Sequence, residues 1–163
     1  MADIQTTDDA QQAQFLIQRI YAKDISLETP QTPEIFFKTW EPELDVHLDT
    51  THAAYKEDRY EVIVHVRVTA SSKDIIIFLI EVKQAGIFTI KQFSEQDQKQ
   101  ILDVTCPIIL FPYARETVSD LIARATFPPF YLPPIDFQTL ATKKAQNNQS
   151  IVPSSELVSD KAE

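Results

Sequence analysis

The strongest hydrophobic pattern along the chain lies between Tyr60 and Ala70, where apolar and polar residues alternate. Valines at positions 62, 64, 66 and 68 occupy one face, and mostly charged or polar residues occupy the other. Alternation with a period of two is typical of a strand with one buried face. Weaker alternation predicts two further strands, over residues 15–24 and around residues 44–48.

The run IIIFLI at Ile75–Ile80 is apolar at every position. Four residues, 71–74, separate it from the alternating strand, and this spacing is typical of a hairpin. One face of an antiparallel sheet usually meets water. An unbroken apolar run therefore indicates a second burial surface, most simply another subunit. The alternative is a central strand covered by helices on one side and by a loop on the other.

Residues 29–42 contain three prolines and three aromatic rings and show no regular period. Prolines at this density disfavour both a helix and a central strand. The segment is therefore predicted to be a long ordered crossover between the first two strands.

The second half of the chain is predicted to be helical. Ser94 is a suitable helix N-cap, and Glu95 and Asp97 follow in the first turn, where the helix dipole favours negative charge. This helix is expected to run to about Thr105 and to stop near Pro107, because proline disrupts helix interiors.

A second helix is predicted over about residues 113–126, and a last helix carrying Phe137 and Leu140 is expected to begin at an Asp136 cap. Strands precede helices along the chain, which predicts an α+β fold with an antiparallel sheet. The second helix carries a one-sided apolar stripe formed by Ala114, Val118, Leu121, Ile122 and Ala125.

Residues 107–137 combine prolines with Phe and Tyr rings around this second helix. Because proline fixes φ and removes an amide donor, the flanks of the helix are expected to be extended and stiff. A stiff segment presents aromatic rings without the entropy cost of a flexible loop, which suits a surface that binds apolar partners. The alternative for any single ring is that it caps the core.

Length and composition predict one globular domain. The chain has 163 residues, of which 44% are hydrophobic and 24% are charged. Residues 14–142 are expected to form the folded domain. Residues 1–13 are predicted to be a disordered arm, and residues 143–163 a tail that ends the last helix and is then disordered.

The net charge of −9 argues against nucleic acid and anionic membranes as partners, because both favour Lys and Arg. It leaves open a basic protein partner. The amino terminus lacks the basic and apolar regions of a signal peptide, and the apolar run Ile75–Ile80 is too short to span a bilayer. A single cysteine, Cys106, fits a reducing compartment and is expected to be buried and unreactive. These features predict a cytoplasmic protein.

No catalytic constellation emerges, so the chain is predicted not to be an enzyme and to need neither a cofactor nor a metal. Its only glycine, Gly86, cannot supply the glycine-rich loop that cradles phosphates. His47 and His65 could share a polar face with Asp45 or Asp49 and ligate a metal. A pair of solvated histidines is the favoured interpretation.

Four blocks of the sequence are distinctive: FLIQRIYAKDISLETP (15–30), EVKQAGIF (81–88), CPIILFPYARE (106–116) and TFPPFYLPPIDF (126–137). They resemble the SecB family of bacterial protein-export chaperones. Their order and spacing also fit the family, and the resemblance covers roughly residues 14–142. The polar tail lacks the glycine- and glutamate-rich character of some members.

The resemblance implies a four-stranded antiparallel sheet packed with helices, and a homotetramer in which two dimers stack through helices. It implies an ATP-independent holdase that binds unfolded precursor proteins, keeps them translocation-competent and delivers them to the translocation ATPase SecA. One alternative is a general or toxin–antitoxin-associated holdase of the same fold without SecA targeting. Another is a small-molecule binding protein or enzyme that uses an aromatic pocket.

The resemblance also implies roles for individual residues. Asp24, Glu28, Leu79 and Glu81 match the SecA-docking positions of the family. Three of the four are carboxylates, which suit a basic partner. Without the resemblance they would be interpreted as ordinary solvated side chains.

A second set, Ile80, Val82 and Gln84, matches positions linked to tetramer integrity in the family. Ile80 stands where a cysteine can occur, and Ala85 stands where a glycine can. The crossover and the proline-flanked helix are expected to line the groove for unfolded clients. The groove residues expected on this basis are Phe36, Trp40, Phe78, Phe111, Tyr113, Phe127 and Phe137.

Overall fold

The computed structural model describes residues 12–149, in which a four-stranded antiparallel sheet is followed by helices. The strand order in space is β1-β4-β3-β2. This architecture confirms the predicted α+β class. The strands are β1 (Gln14–Glu28), β2 (Glu43–Lys56), β3 (Arg59–Ser72) and β4 (Ile75–Lys91).

The helical layer packs across the two central strands, β3 and β4, and leaves much of the edge strands uncovered. Its helices are α1 (Glu95–Gln100), α2 (Cys106–Arg124) and α3 (Phe137–Gln149), with a π-helical segment (Ile101–Thr105) between the first two.

The alternation in β3 defines the core face of the sheet, as the sequence predicts. Val62, Val64, Val66 and Val68 have no exposed surface beneath the helices. Burying a side chain of this size contributes roughly 1.5–3 kcal/mol relative to leaving it exposed. The side chains on the other face of β3 remain at least partly accessible. The sheet therefore has a covered face and an open outer face.

The edge strands differ from their predictions for local reasons. β1 is predicted over residues 15–24 but continues to Glu28, and its register shifts between Ile17 and Arg19 and between Ala22 and Asp24. A bulge interrupts the alternation of side chains, so the sequence pattern fades before the strand ends. β2 is predicted to be half-buried, but its apolar residues up to position 46 are exposed because the helices do not cover this edge.

The predicted hairpin before the apolar run is confirmed, and β4 continues beyond this run to Lys91. Ile77 and Phe78 are both buried although they are adjacent, because the β3–β4 register shifts between Ala70 and Ser71. Contacts within the chain therefore bury these two residues, which matches the alternative of helix and loop cover. The first two residues of the run remain about half exposed.

The crossover between β1 and β2 is irregular, as predicted, apart from a short 3-10 helix over Glu34–Phe37. Ile35 is the one buried residue of this turn and joins the core. The crossover is thereby fixed to the end of the sheet that carries Phe78.

The N-cap prediction for α1 is confirmed, because the Ser94 hydroxyl accepts a hydrogen bond from the Asp97 N–H at 3.1 Å. The predicted stop near Pro107 is wrong. In the π-helical segment the Cys106 N–H donates to the carbonyl of Ile101, five residues earlier. This wider turn displaces the carbonyls with which a proline ring would clash, so the chain continues into α2 through Pro107.

The proline-rich region is extended on only one side of α2. The predicted extended flank before the helix is wrong, because residues 107–112 are its first turns. Residues 127–136 form neither helix nor strand, as predicted. Asp136 then caps α3 through the Thr139 N–H at 3.1 Å, which confirms that cap. Most of the predicted arm, residues 1–11, and residues 150–163 of the predicted tail lie outside the described residues.

Candidate functional site

The sheet register brings the four residues expected to dock SecA onto one face. Glu28 in β1 is paired with Leu79 in β4, and two positions away Ser26 is paired with Glu81. Asp24 follows on the same face, opposite Lys83. Because side chains on a strand alternate, all of these residues point away from buried Ile80 and Val82 and onto the outer face. The four expected docking residues, Asp24, Glu28, Leu79 and Glu81, form a compact patch at one end of β1 and β4. We call it the outer patch.

Glu81 is the most constrained residue of the outer patch. Its Oε1 accepts a hydrogen bond from Arg67 Nε at 2.8 Å, and its Oε2 lies 3.4 Å from His65 Nε2. The hydrogen bond from Arg67 holds the pKa of the Glu81 carboxyl below its ordinary value, since it favours the charged form. Glu81 is therefore a carboxylate whose charge is largely balanced within the sheet.

A second charged cluster lies further along the outer face. Lys23 reaches both oxygens of Glu61, at 2.7 and 2.8 Å, and the Tyr21 hydroxyl donates to the same carboxylate. Burial and then the neighbouring Glu61 raise the pKa of Tyr21 to about 12. The hydrogen bond from Lys23 is the main cause of the lowered pKa of Glu61. Cationic and anionic groups thus alternate along this face.

Four of the seven expected groove residues meet around Phe127, which follows the C-terminal turn of α2. The Phe127 ring centroid lies 5.1 Å from that of Phe78, 5.5 Å from that of Phe36 and 6.0 Å from that of Trp40. These distances suit tilted or edge-to-face aromatic contacts. We call these four rings the aromatic cluster.

Two cavities open on either side of the crossover next to this cluster. The larger, of about 570 Å³, is lined by Ile35, Trp40, Ile75 and Ile77 together with polar residues of both segments. The smaller, of about 300 Å³, is lined by Phe36, Trp40, Phe127 and neighbouring crossover residues. Trp40 borders both cavities. The arrangement provides adjacent concavities with partly apolar walls that suit separate side chains of an extended peptide.

The other three expected groove residues lie elsewhere. Phe111 and Phe137 contact each other with ring centroids 5.6 Å apart and are buried between α2 and α3. They pack the core within this chain, where they are not accessible to a client. Tyr113 is half exposed on α2, away from the aromatic cluster.

Sequence reasoning missed one exposed ring of the crossover. Phe37 has 89% of its surface exposed and sits beside Phe36 at the end of the 3-10 helix. The consecutive apolar residues of the segment EIFF were the available signal, because in a short helical turn they cannot all face inward. Phe37 therefore extends the apolar surface beyond the aromatic cluster.

The residues expected to maintain the oligomer lie on the covered face of β4. Ile80 and Val82 have no exposed surface, and Gln84 is a buried polar residue in the same row. Among residues 12–149 no fully buried side-chain nitrogen or oxygen lacks a hydrogen-bond partner. Substitutions here would disturb the packing of the helices against the sheet.

Each of the histidines lies close to a carboxylate. His47 Nε2 lies 3.1 Å from Asp45, and His52 Nε2 lies 3.1 Å from Asp103 at the end of the helical layer. Within residues 12–149 no three His, Cys, Asp or Glu side chains are grouped so that they could hold a metal ion. Cys106 is buried as predicted, and burial raises the pKa of its thiol to about 12. In the same part of the chain, no helix has the length and apolar character needed to cross a membrane.

The chain is similar to known proteins over most of its length. The family described as preprotein translocase subunit SecB matches residues 8–148. A relative named protein-export protein SecB, from Methylobacillus flagellatus, is 44% identical over 146 residues, which are 90% of this chain and 93% of that protein.

One solved structure shares the fold at low sequence identity. It is a SecB-like chaperone of Mycobacterium tuberculosis in complex with a ChAD peptide from an antitoxin. It superposes with a TM-score of 0.62 and 17% identity, over 75% of this chain and 91% of that chain. Together with the family match over residues 8–148 and the 44% identical relative, the conclusion is that this chain belongs to the SecB family of protein-export chaperones.

Proposed function

We propose that the chain is an ATP-independent holdase that binds unfolded precursor proteins, keeps them translocation-competent and delivers them to the translocation ATPase SecA. In this proposal it acts in the cytoplasm as a homotetramer built from two dimers. It works by binding alone and needs no cofactor.

The observation that carries this proposal is the separation of two surfaces with different chemistry. The outer patch combines Asp24, Glu28 and Glu81 with the apolar Leu79, and such a combination suits a basic partner with an apolar anchor. The aromatic cluster lies at the crossover, which joins the covered side through buried Ile35. Two surfaces allow one chaperone to hold a client and to contact a second protein at the same time.

The aromatic cluster and its two cavities support binding of unfolded chains. An unfolded protein offers apolar and aromatic side chains in no fixed order, and neighbouring concavities with partly apolar walls accept such side chains without a defined sequence. In this proposal Phe36 and Trp40 are the accessible rings of the cluster, and the buried rings of Phe78 and Phe127 support them from the core side. Phe37 adds exposed apolar surface.

Charge reversal in the outer patch tests the docking role. Leu79→Arg and Glu81→Lys should each weaken SecA binding by about tenfold or more, because a like charge then opposes the basic partner. Client binding should stay within about twofold of the wild type, since the aromatic cluster is untouched. Isothermal titration with SecA and an aggregation assay with a reduced, unfolded precursor give the two readouts.

Asp45→Lys is a matched control, because Asp45 is an exposed carboxylate of the same face on the opposite edge strand. It should affect SecA binding much less than Glu81→Lys. Equal loss of SecA and client binding in the Glu81 variant would mean that the sheet had unfolded. Client binding by a wild type that does not bind SecA would instead support a general or antitoxin-associated holdase.

A further inference from the structure

Arg67 and Glu81 are direct partners across the centre of the sheet. Arg67 in β3 is paired in register with Glu81 in β4, and Arg67 Nε donates to Glu81 Oε1 at 2.8 Å. Their side chains are 47% and 26% exposed, so both reach the outer face where a partner would arrive. The remaining carboxylate oxygen of Glu81 faces His65. A cation of the partner therefore meets a carboxylate that already accepts a hydrogen bond from Arg67 and lies close to His65.

The two carboxylates of β1 differ from Glu81 in this respect. Asp24 and Glu28 are exposed, and among the described residues no hydrogen bond or ion pair engages either side chain. Their charge is available to attract a basic partner from a distance. The outer patch thus contains two open carboxylates beside one whose charge is balanced by Arg67.

We propose that Arg67 determines the affinity and selectivity of the outer patch by competing with the partner's cations for Glu81. This inference rests on the proposed docking role of the patch. A single cation of the partner must either displace Arg67 from Glu81 or approach an Arg67–Glu81 pair that has little net charge. A segment with several cations can engage Asp24 and Glu28 first and then compete for Glu81. Arg67 thereby disfavours weakly basic proteins.

Replacing Arg67 with methionine, an uncharged residue of similar length, tests the inference. An exposed ion pair and a nearby repulsive charge are each weak, so Arg67→Met should tighten SecA binding by about 3- to 10-fold. Glu81→Gln alone should weaken binding. In a Glu81→Gln background the gain from the Arg67 substitution should shrink to about twofold or less, because the competition no longer exists and only the weak repulsion between Arg67 and the partner's cations remains. Isothermal titration of SecA with the wild type, the two single variants and the double variant, all at one salt concentration, measures this double-mutant cycle.

Lys23→Met is the matched control. It removes a cation from the same face whose carboxylate partner is Glu61, six residues from Arg67 along β3 and also bonded by the Tyr21 hydroxyl. Its effect on SecA affinity should stay within about twofold, because the carboxylate it releases lies outside the patch. Thermal unfolding and client binding should be unchanged in all single variants, which would exclude a general loss of structure.

The outcomes separate this inference from the proposed function. Wild-type protein that does not bind SecA would overturn the proposed docking and the inference with it. Wild-type binding that is weakened by Glu81→Gln but unchanged or weakened by Arg67→Met would overturn the competitor role alone. The competitor role would also be overturned if Arg67→Met tightened SecA binding equally in the Glu81→Gln background, or if Lys23→Met tightened it as much. Either result would show only a general effect of charge.

Discussion

At the scale of single residues, Thr126 occupies a backbone conformation that favours glycine. Its φ is 60°, and it directly follows the end of α2. The Thr126 N–H donates to the Ala123 carbonyl at 3.0 Å, and the Phe127 N–H donates to the Ile122 carbonyl at 3.3 Å. This pair of bonds is the Schellman motif that ends many helices. The motif turns the chain so that Phe127 enters the aromatic cluster.

We expect Thr126→Gly to stabilise the protein by about 0.5–1 kcal/mol. A β-branched residue at positive φ is strained, and glycine removes this strain. The unfolded chain of the glycine variant has more conformational entropy, which offsets part of the gain in stability. Urea unfolding at fixed protein concentration measures the change. Ala125→Gly is the control, because Ala125 has an ordinary helical φ of −77° and glycine there should destabilise. A Thr126 variant less stable than wild type would contradict this account.

At the scale of elements, Gly86 fixes how closely α2 approaches β4. A Cβ atom at this position would lie 2.7 Å from the Phe88 ring and 2.9 Å from a methyl group of Leu110 in α2. Both neighbours are fully buried, so neither side chain can move into open space. The chain therefore has its only glycine at a close contact between β4 and α2.

Gly86→Ala should therefore destabilise the protein by about 1–3 kcal/mol through overpacking between β4 and α2. Chemical denaturation monitored by circular dichroism measures this loss. Ala85→Gly, one residue away on the opposite face of β4, is a comparison without overpacking: it should cost about 1–2 kcal/mol, because it adds backbone entropy to the unfolded state and removes one buried methyl group. A Gly86 variant as stable as the wild type would show that the interface relaxes freely.

The success of sequence prediction followed the strength of the local signal in each element. β3 was predictable because each of its valines packs on one continuous face. The bulges in β1 and the passage of the helix through Pro107 were not, because both depend on backbone geometry that no periodic pattern encodes. The Asp136 cap was predictable because it needs only a local hydrogen bond.

For the candidate site, resemblance identified residues whereas only the structure identified their neighbours. The positions of Asp24 and Glu28 opposite β4 depend on a register that spans the whole sheet. Likewise, the sequence could not distinguish Phe127, which packs against the crossover, from Phe137, which packs in the core. The pairing of Arg67 with Glu81 joins residues 14 positions apart and required the β3–β4 register.

At the scale of the whole molecule, much apolar surface remains exposed on the single chain. Ile108 on α2 is 53% exposed, and Leu16, Ile17 and Ile25 on the edge strand β1 are between 43% and 48% exposed. Exposed apolar side chains on a helix and on a sheet edge favour association with further copies. The proposed dimer of dimers would cover both regions.

We expect a homotetramer with a mass near four times 18.6 kDa in light scattering at micromolar concentration. Ile108→Glu should shift the protein toward smaller species, because it places a charge on the exposed side of α2 that the proposed stacking would bury. Phe37→Glu is the control, since Phe37 is also an exposed apolar residue but lies on the crossover. A wild type that is a stable monomer would refute the proposed assembly.

Client affinity should depend on the length of the unfolded chain, because the assembled molecule would present several copies of the aromatic cluster. Weak contacts, on the order of 1 mM each, combine into a tight complex when linkers reach from one site to the next. Trp40→Ser should therefore weaken binding of a long unfolded precursor only partially but nearly abolish binding of a single-site peptide. Phe127→Ser should have the same effect indirectly, because it removes the buried ring against which Phe36 and Trp40 pack. Titration calorimetry with a length series of one reduced precursor measures this dependence, with the folded precursor as the control. If a peptide of about ten residues bound as tightly as the whole unfolded precursor, or if the folded precursor bound equally well, the multivalent mechanism would be wrong.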